Sequence, residues 1–366
     1  FKLLFLIIAL VLYALLLMPG FIRVGGMIVY YFFSPDVVRG VMYGSKPRQR
    51  LDLYFPRHAR DDVTYPVVVY VTGGAWTIGY KAWGALLARR LSEQGVLVAC
   101  LDYRNFPQGD ALDMLEDVNT GISWVLSRIH RFGGDPDSVT LVGQSAGGHL
   151  AGLALIKQVG KGETGGGVNM GPASRLAAFV GVSGAFDLVG LAAHRGDIRS
   201  NFRRGMWGWK RPAYDTLSPL QAARRLPPGA AGMLPYVLLI HGTADKTVPA
   251  EGSAQLCEAL QSSGAPSCRC LLIPGKTHTA FLLEDPMRGG RDLLMDTVLG
   301  AVKGSGDSAA GEGDLEDGRG GGSGRGIGGG DGDRGGAGTT GVESGRMYSS
   351  LCPAFLCNLA GRVCPF

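Results

Sequence analysis

Residues 141–149 read Leu-Val-Gly-Gln-Ser-Ala-Gly-Gly-His and follow a short apolar run. A Gly-x-Ser-x-Gly frame placed directly behind a buried strand constrains this chain more than any other feature. It predicts a strand, a sharp turn and a helix, with Ser145 at the tip of the turn. Such a turn leaves no room for side chains two residues either side of the serine, and Gly143 and Gly147 stand there. The strain lifts the Ser145 hydroxyl clear of the sheet, and the helix N-terminus beneath it favours developing negative charge. The expectation is a serine nucleophile. Glycine supplies 59 of the 366 residues, however, and Gly181-Val-Ser183-Gly184-Ala185 nearly makes a second frame, so the motif needs support from the rest of the chain.

Composition narrows the field. Hydrophobic residues make up 46% and charged residues 18%, which describes a globular core with an apolar extension. The net charge of +5 arises from scattered Lys and Arg without a basic run, which argues against nucleic acid as a partner. The seven cysteines are few and odd in number, and Cys268-x-Cys270 lacks a second pair at zinc-like spacing, so no metal or cofactor is expected. Residues 1–18 and 21–33 are almost wholly apolar, interrupted by Pro19-Gly20. Eighteen residues suffice for a membrane span, and no small-residue cleavage site follows, so 1–33 is expected to be an uncleaved membrane anchor. Arg39, Lys46, Arg48 and Arg50 follow it, which orients the catalytic domain towards the cytosol.

Between residues 50 and 302 strand and helix patterns alternate. Strands are expected at 51–55, 66–72, 96–102, 139–143, 176–183, 237–241 and 270–273, and helices at 83–93, 111–130, 147–158, 251–262 and 288–302. The runs 67–71 and 237–240 are continuously apolar, as strands covered on both faces should be. The catalytic domain is therefore read as 34–302. An insertion at about 186–235, bearing Trp207 and Trp209 among Arg195, Arg199, Arg203, Arg204, Lys210 and Arg211, breaks the rhythm and is expected to form a cap. Residues 303–346 are Gly-rich with alternating charge and are expected to be disordered, followed by a short apolar tail, 347–366.

Two further strand ends supply partners for the serine. The 237–241 strand ends in His241-Gly-Thr-Ala-Asp245, and the 270–273 strand leads into Pro-Gly-Lys-Thr-His278. Both loops lie on the rim that carries the Ser145 turn. Asp245 would fix the imidazole tautomer while His278 takes the proton from Ser145. Backbone N–H groups of Ala146, Gly73 and Gly74 would form the oxyanion hole, with Ala75 and Gln144 beside them. His149 and His241 read as structural. In this order, elbow, acid, histidine and glycine pair mark an α/β-hydrolase fold: a mostly parallel central sheet flanked by helices, with a cap insertion and an N-terminal membrane anchor.

Longer stretches carry a narrower resemblance. Phe132-Gly-Gly-Asp-Pro136, Gly73-Gly-Ala-Trp76 and Asp102-Tyr-Arg104 resemble the hormone-sensitive-lipase-like carboxylesterases. Tyr13-Ala-Leu-Leu-Leu-Met-Pro-Gly-Phe21, the run from Val71 to Trp83, Ala99 to Gln108 and Gly275-Lys-Thr-His-Thr279 resemble the plant isoprenylcysteine α-carbonyl methylesterase family, over about residues 10–302. Thr72 stands where most lipase-like relatives have histidine, a replacement this family shares. The resemblance implies hydrolysis of the methyl ester on a prenylated C-terminal cysteine, at an endoplasmic reticulum or Golgi membrane. It leaves Trp76, Trp207 and Trp209 as candidate isoprenoid contacts. A general short-chain carboxylesterase and a non-catalytic ligand receptor on the same scaffold are the alternatives.

Overall fold

The computed structural model describes residues 2–23, 25–60, 62–161, 175–194, 211–304 and 347–364. Trp207, Trp209, residues 195–210 of the insertion and nearly all of the Gly-rich segment lie outside them.

The strands are β1 (Val37–Met42), β2 (Arg50–Tyr54), β3 (Tyr65–Val71), β4 (Leu97–Leu101), β5 (Gly134–Gln144), β6 (Ala178–Val182), β7 (Tyr236–Gly242) and β8 (Cys268–Ile273). They form one sheet in the order β1-β2-β4-β3-β5-β6-β7-β8. β2 runs antiparallel to β1 and β4, and every other pair is parallel. The apolar runs fill both faces by simple alternation. Val67, Val69 and Val71 of β3 face one side with Leu141 of β5 and Leu239 of β7. Val68 and Tyr70 face the other with Val98, Val142 and Ile240.

The helices are α1 (Lys2–Arg23), α2 (Gly25–Phe33), α3 (Ala85–Ser92), α4 (Ala111–Arg128), α5 (Ala146–Lys161), α6 (Leu188–His194), α7 (Arg211–Leu217), α8 (Pro219–Arg224), α9 (Glu251–Ser262), α10 (Glu284–Arg288), α11 (Leu293–Val302) and α12 (Ala354–Val363). Helices α4 and α5 cover the first face of the sheet, and α3 and α11 the second. Asp110 caps α4 by accepting from Leu112 N at 2.9 Å and Asp113 N at 3.0 Å. The helix expected from residue 288 starts instead at Leu293. Gly289 and Gly290 have φ of 72° and 81°, which ends α10, and Asp292 then caps α11 through Met295 N at 3.1 Å.

The N-terminal segment, expected to be a membrane anchor, forms α1 and α2. Among the described residues no helix is long and apolar enough to cross a membrane. Helix α1 rests one face on the 354–363 helix and Met287, burying Tyr13 and Leu17, and exposes Ile8, Val11, Leu12 and Leu15 on the opposite face. Helix α2 likewise buries Met27 and Tyr31 while exposing Ile28, Val29, Phe32 and Phe33. The cations expected to orient an anchor are partly engaged within the fold: Arg48 pairs with Asp102 at 2.5 Å, and Arg39 lies over the Phe32 ring. The tail also docks. Met347–Tyr348 pairs with Gly290–Arg291 as a two-stranded ribbon, and Cys352, Cys357 and Cys364 pack with Tyr13, Leu17 and Met287.

Candidate active site

Strand β5 delivers Ser145 and α5 begins at the next residue. Ser145 has φ of 54°, a left-handed conformation that costs a side-chain-bearing residue about 1–2 kcal/mol. The surroundings hold it there: Ser145 N–H donates to Val182 O at 2.9 Å, and His149 N–H to Ser145 O at 3.0 Å. The flanking glycines are obligatory. A Cβ at Gly147 would lie 2.1 Å from Val71 O, and one at Gly143 would lie 2.7 Å from Gly147 O.

The structure brings the three candidate residues into one hydrogen-bonded line. Ser145 Oγ lies 2.8 Å from His278 Nε2, and His278 Nδ1 lies 2.7 Å from Asp245 Oδ2. Asp245 sits in the loop after β7 and His278 in the loop after β8, so strand ends position all three. Asp245 Oδ1 accepts the backbone N–H groups of Thr247 at 2.7 Å and Val248 at 2.9 Å. Its Oδ2 also receives His241 Nε2 at 3.0 Å, from a histidine that reads as structural in the sequence. His241 is fully buried, with Ser253 Oγ 2.7 Å from its Nδ1 and Val248 O 3.1 Å from its Nε2. Burial alone would raise the Asp245 carboxyl, but the hydrogen bonds from His241, His278 and Val248 outweigh it and hold the group well below the usual carboxylate range. An anion fixed in this way holds the His278 proton on Nδ1 and leaves Nε2 free to accept from Ser145.

The second serine frame is different. Ser183 shares a left-handed φ of 46°, yet it is fully buried and its Oγ has no hydrogen-bond partner among the described residues. Ser145 is the serine that faces the histidine.

The glycine pair after β3 enters a strained loop. Gly74, Ala75 and Trp76 have φ of 123°, 47° and 60° in succession. Gly74 is confined by Gly79, whose N would lie 2.4 Å from an added Cβ, and Gln144 reaches over Gly73. Asn105 Nδ2 and Arg48 Nη2 hold Gly79 O at 2.7 Å and 2.6 Å, and Trp76 O accepts from Phe106 N at 2.9 Å. Ala146 is fully buried at the start of α5, beside this loop.

Trp76, the third residue of this strained run, is as buried as Ser145 itself. It is 6% exposed, and its indole N–H donates to His149 Nδ1 at 3.1 Å. His149 in turn places Nε2 2.8 Å from Leu217 O. A ring that accepts at Nδ1 and donates at Nε2 is neutral, and burial lowers its pKa from 6.5 to about 4. His149 thus ties the strained loop to α7 of the insertion.

A stability test follows from the sign of that shift. The folded protein resists protonation of His149, so its contribution is fully present above about pH 6.5 and is lost as pH falls towards about 4, a change of about 3 kcal/mol. Thermal unfolding of the wild type should weaken across this window. His149→Gln should be less stable at pH 7 but show a shallower fall. Parallel wild-type and variant curves would remove His149 as the acid-sensitive strut.

Three comparisons bear on this geometry. The BD-FAE family model matches residues 51–260. A "probable isoprenylcysteine alpha-carbonyl methylesterase ICME" of Oryza sativa subsp. japonica is 47% identical over 297 residues, 80% of this chain and 70% of that protein. The isoprenylcysteine alpha-carbonyl methylesterase ICME of Arabidopsis thaliana is 45% identical, covering 81% of this chain and 68% of its own length. Among solved structures, an inhibited esterase B from Lactobacillus rhamnosis aligns with a TM-score of 0.58 at 23% identity, over 78% of this chain and 94% of that one, and supports the fold alone. With the elbow, the rim loops and the matched length in agreement, the chain belongs to the isoprenylcysteine α-carbonyl methylesterase family of carboxylic ester hydrolases.

Proposed function

We propose that this chain hydrolyses the methyl ester of a prenylated C-terminal cysteine, releasing methanol and restoring the free carboxylate. The observation that carries the chemistry is the hydrogen-bonded line from Ser145 through His278 to Asp245, at 2.8 and 2.7 Å. Ser145 Oγ attacks the ester carbonyl while His278 Nε2 takes its proton. Backbone N–H groups of Gly73, Gly74 and Ala146 receive the oxyanion, with Ala75 and Gln144 shaping the site around the acyl carbon. His278 then protonates the leaving methoxide, and a water activated by the same ring frees the carboxylate from Ser145. The names and extent of the family relatives support the prenylcysteine substrate. Trp76, Trp207 and Trp209 remain proposed contacts for the isoprenoid.

The same reading puts the protein at a membrane of the endoplasmic reticulum or Golgi, with the catalytic domain facing the cytosol. The exposed apolar faces of α1 and α2 support membrane contact, and a lipid-modified substrate suits an enzyme at such a surface.

The substrate is tested by methanol release from farnesylcysteine methyl ester, with a short-chain nitrophenyl ester as comparator. A clear preference in kcat/KM for the prenylated ester is expected. Turnover of the short ester alone would make this a general carboxylesterase. Turnover of neither would leave a ligand receptor.

A further inference from the structure

His278 lies in a loop between β8 and α10 that has no regular structure of its own. Something outside the loop must fix its imidazole to within a few tenths of an ångström of Ser145. The residues on both sides of His278 turn to one buried carboxylate. Thr277 Oγ1 and Thr279 Oγ1 donate to Glu284 Oε1 at 3.2 and 3.1 Å, and Glu284 is 2% exposed. Thr279 has a single hydroxyl proton, given to Glu284, so its oxygen accepts from Tyr13 Oη of α1 at 3.0 Å. The next acid, Asp285, draws Lys276 Nζ to 2.5 Å and Arg288 Nη1 to 2.7 Å. Residues 276, 277 and 279 are thereby fastened to the first turn of α10, and His278 between them points at the nucleophile.

Fold stability does not account for this choice of residue. Burying a carboxylate costs more than burying an apolar side chain of the same size, and here burial raises the Glu284 pKa. What a carboxylate supplies that an apolar residue lacks is an acceptor oxygen, here Oε1, which takes both threonine hydroxyls on a loop with few other constraints. We propose that Glu284 is a positioning residue for His278, and that Tyr13 completes its hydrogen-bond chain, so that the N-terminal helix acts on catalysis through the histidine loop. The proposal rests on ester attack by Ser145 and not on the prenyl group.

The experiment uses the full chain and two readouts. One is the rate at which an alkyl fluorophosphonate labels Ser145, which needs no knowledge of the natural ester. The other is kcat and KM for farnesylcysteine methyl ester. Glu284→Ala should slow labelling and kcat by about 10–100-fold with KM nearly unchanged, because a displacement of about 1 Å between reacting groups has an effect of this order. Glu284→Gln retains an acceptor oxygen and should return most of the rate. Tyr13→Phe should fall between Glu284→Ala and wild type. If Glu284→Ala does not fold, Thr277→Val/Thr279→Val removes the same two donors with little change of shape, and should show the same loss. Labelling within about twofold of wild type in the alanine or valine variants would overturn the proposal. So would a Glu284→Gln variant as slow as Glu284→Ala, since charge and not position would then matter. An unchanged rate in Tyr13→Phe would remove the helix from it. Fast labelling of the wild type without turnover of the prenylated ester would defeat the substrate reading alone, and labelling would still decide the role of Glu284.

Discussion

Ser145→Ala is expected to lower kcat for methyl ester hydrolysis by about a millionfold while leaving the protein folded. The size follows from how the site is built. His278 Nε2 lies 2.8 Å from Ser145 Oγ and can act on the acyl carbon only through that oxygen. Once the oxygen is gone, the histidine and aspartate have nothing to activate, so Ser145→Ala/His278→Ala should lose no more than either single change. Residual rate would come from the oxyanion hole and substrate binding alone. The fold should survive because the left-handed φ of 54° is set by the backbone hydrogen bonds to Val182 and His149, which alanine preserves. Methanol release measures the loss, and thermal unfolding measures the integrity of the variant. Ser183→Ala is the internal control. Its hydroxyl is buried and faces no histidine, so that variant should keep its activity. A Ser145→Ala enzyme within about a hundredfold of wild type would mean that another group attacks the ester.

Much of this was legible in the sequence, and the reason is geometric. In a parallel sheet the C-terminal strand ends share one rim, so a serine, an aspartate and a histidine placed just after three apolar runs must meet if the runs pair. β5, β7 and β8 do bring Ser145, Asp245 and His278 together. β1 was not anticipated. It is an edge strand with one buried residue, Val37, and its Gly40 adopts a φ of 70°, so neither alternation nor a continuous apolar run marks it. The fate of α1 was also hidden, because hydropathy reports that a helix is apolar but not that one of its faces is already occupied by Tyr13 and Leu17. The supporting residues were the least visible. His241, His149 and Glu284 act through hydrogen bonds set by loop geometry that no spacing rule encodes: His241 to Asp245, His149 to Trp76, Glu284 to Thr277 and Thr279. A buried polar residue inside a motif-rich stretch is the one signal that could have pointed to them.

Asp245→Asn should lower kcat by about 10⁴-fold, and the four donors around the carboxylate explain why an amide cannot replace it. Oδ2 receives the imidazoles of His278 at 2.7 Å and His241 at 3.0 Å, while Oδ1 receives the N–H groups of Thr247 at 2.7 Å and Val248 at 2.9 Å. An amide carries two protons on one side, so whichever way it turns its NH₂ confronts a pair of donors. Turned towards the histidines, it donates to His278 Nδ1 and drives the ring proton to Nε2, where the ring can no longer accept from Ser145. Turned towards the backbone, it forces apart the loop that carries it. The wild-type carboxylate is held well below the usual range by these same contacts, so its stabilisation is present at neutral pH and is lost only as pH falls through the acid range. The variant should therefore also unfold more easily at pH 7 and lose part of the wild type's acid sensitivity. His241→Phe separates the two effects. It removes one donor while leaving Asp245 to hold His278, and should cost far less in kcat than Asp245→Asn. Methanol release and thermal unfolding at pH 7 and at acid pH measure all of this, and an Asp245→Asn variant within about tenfold of wild type would mean that His278 keeps its tautomer without the anion.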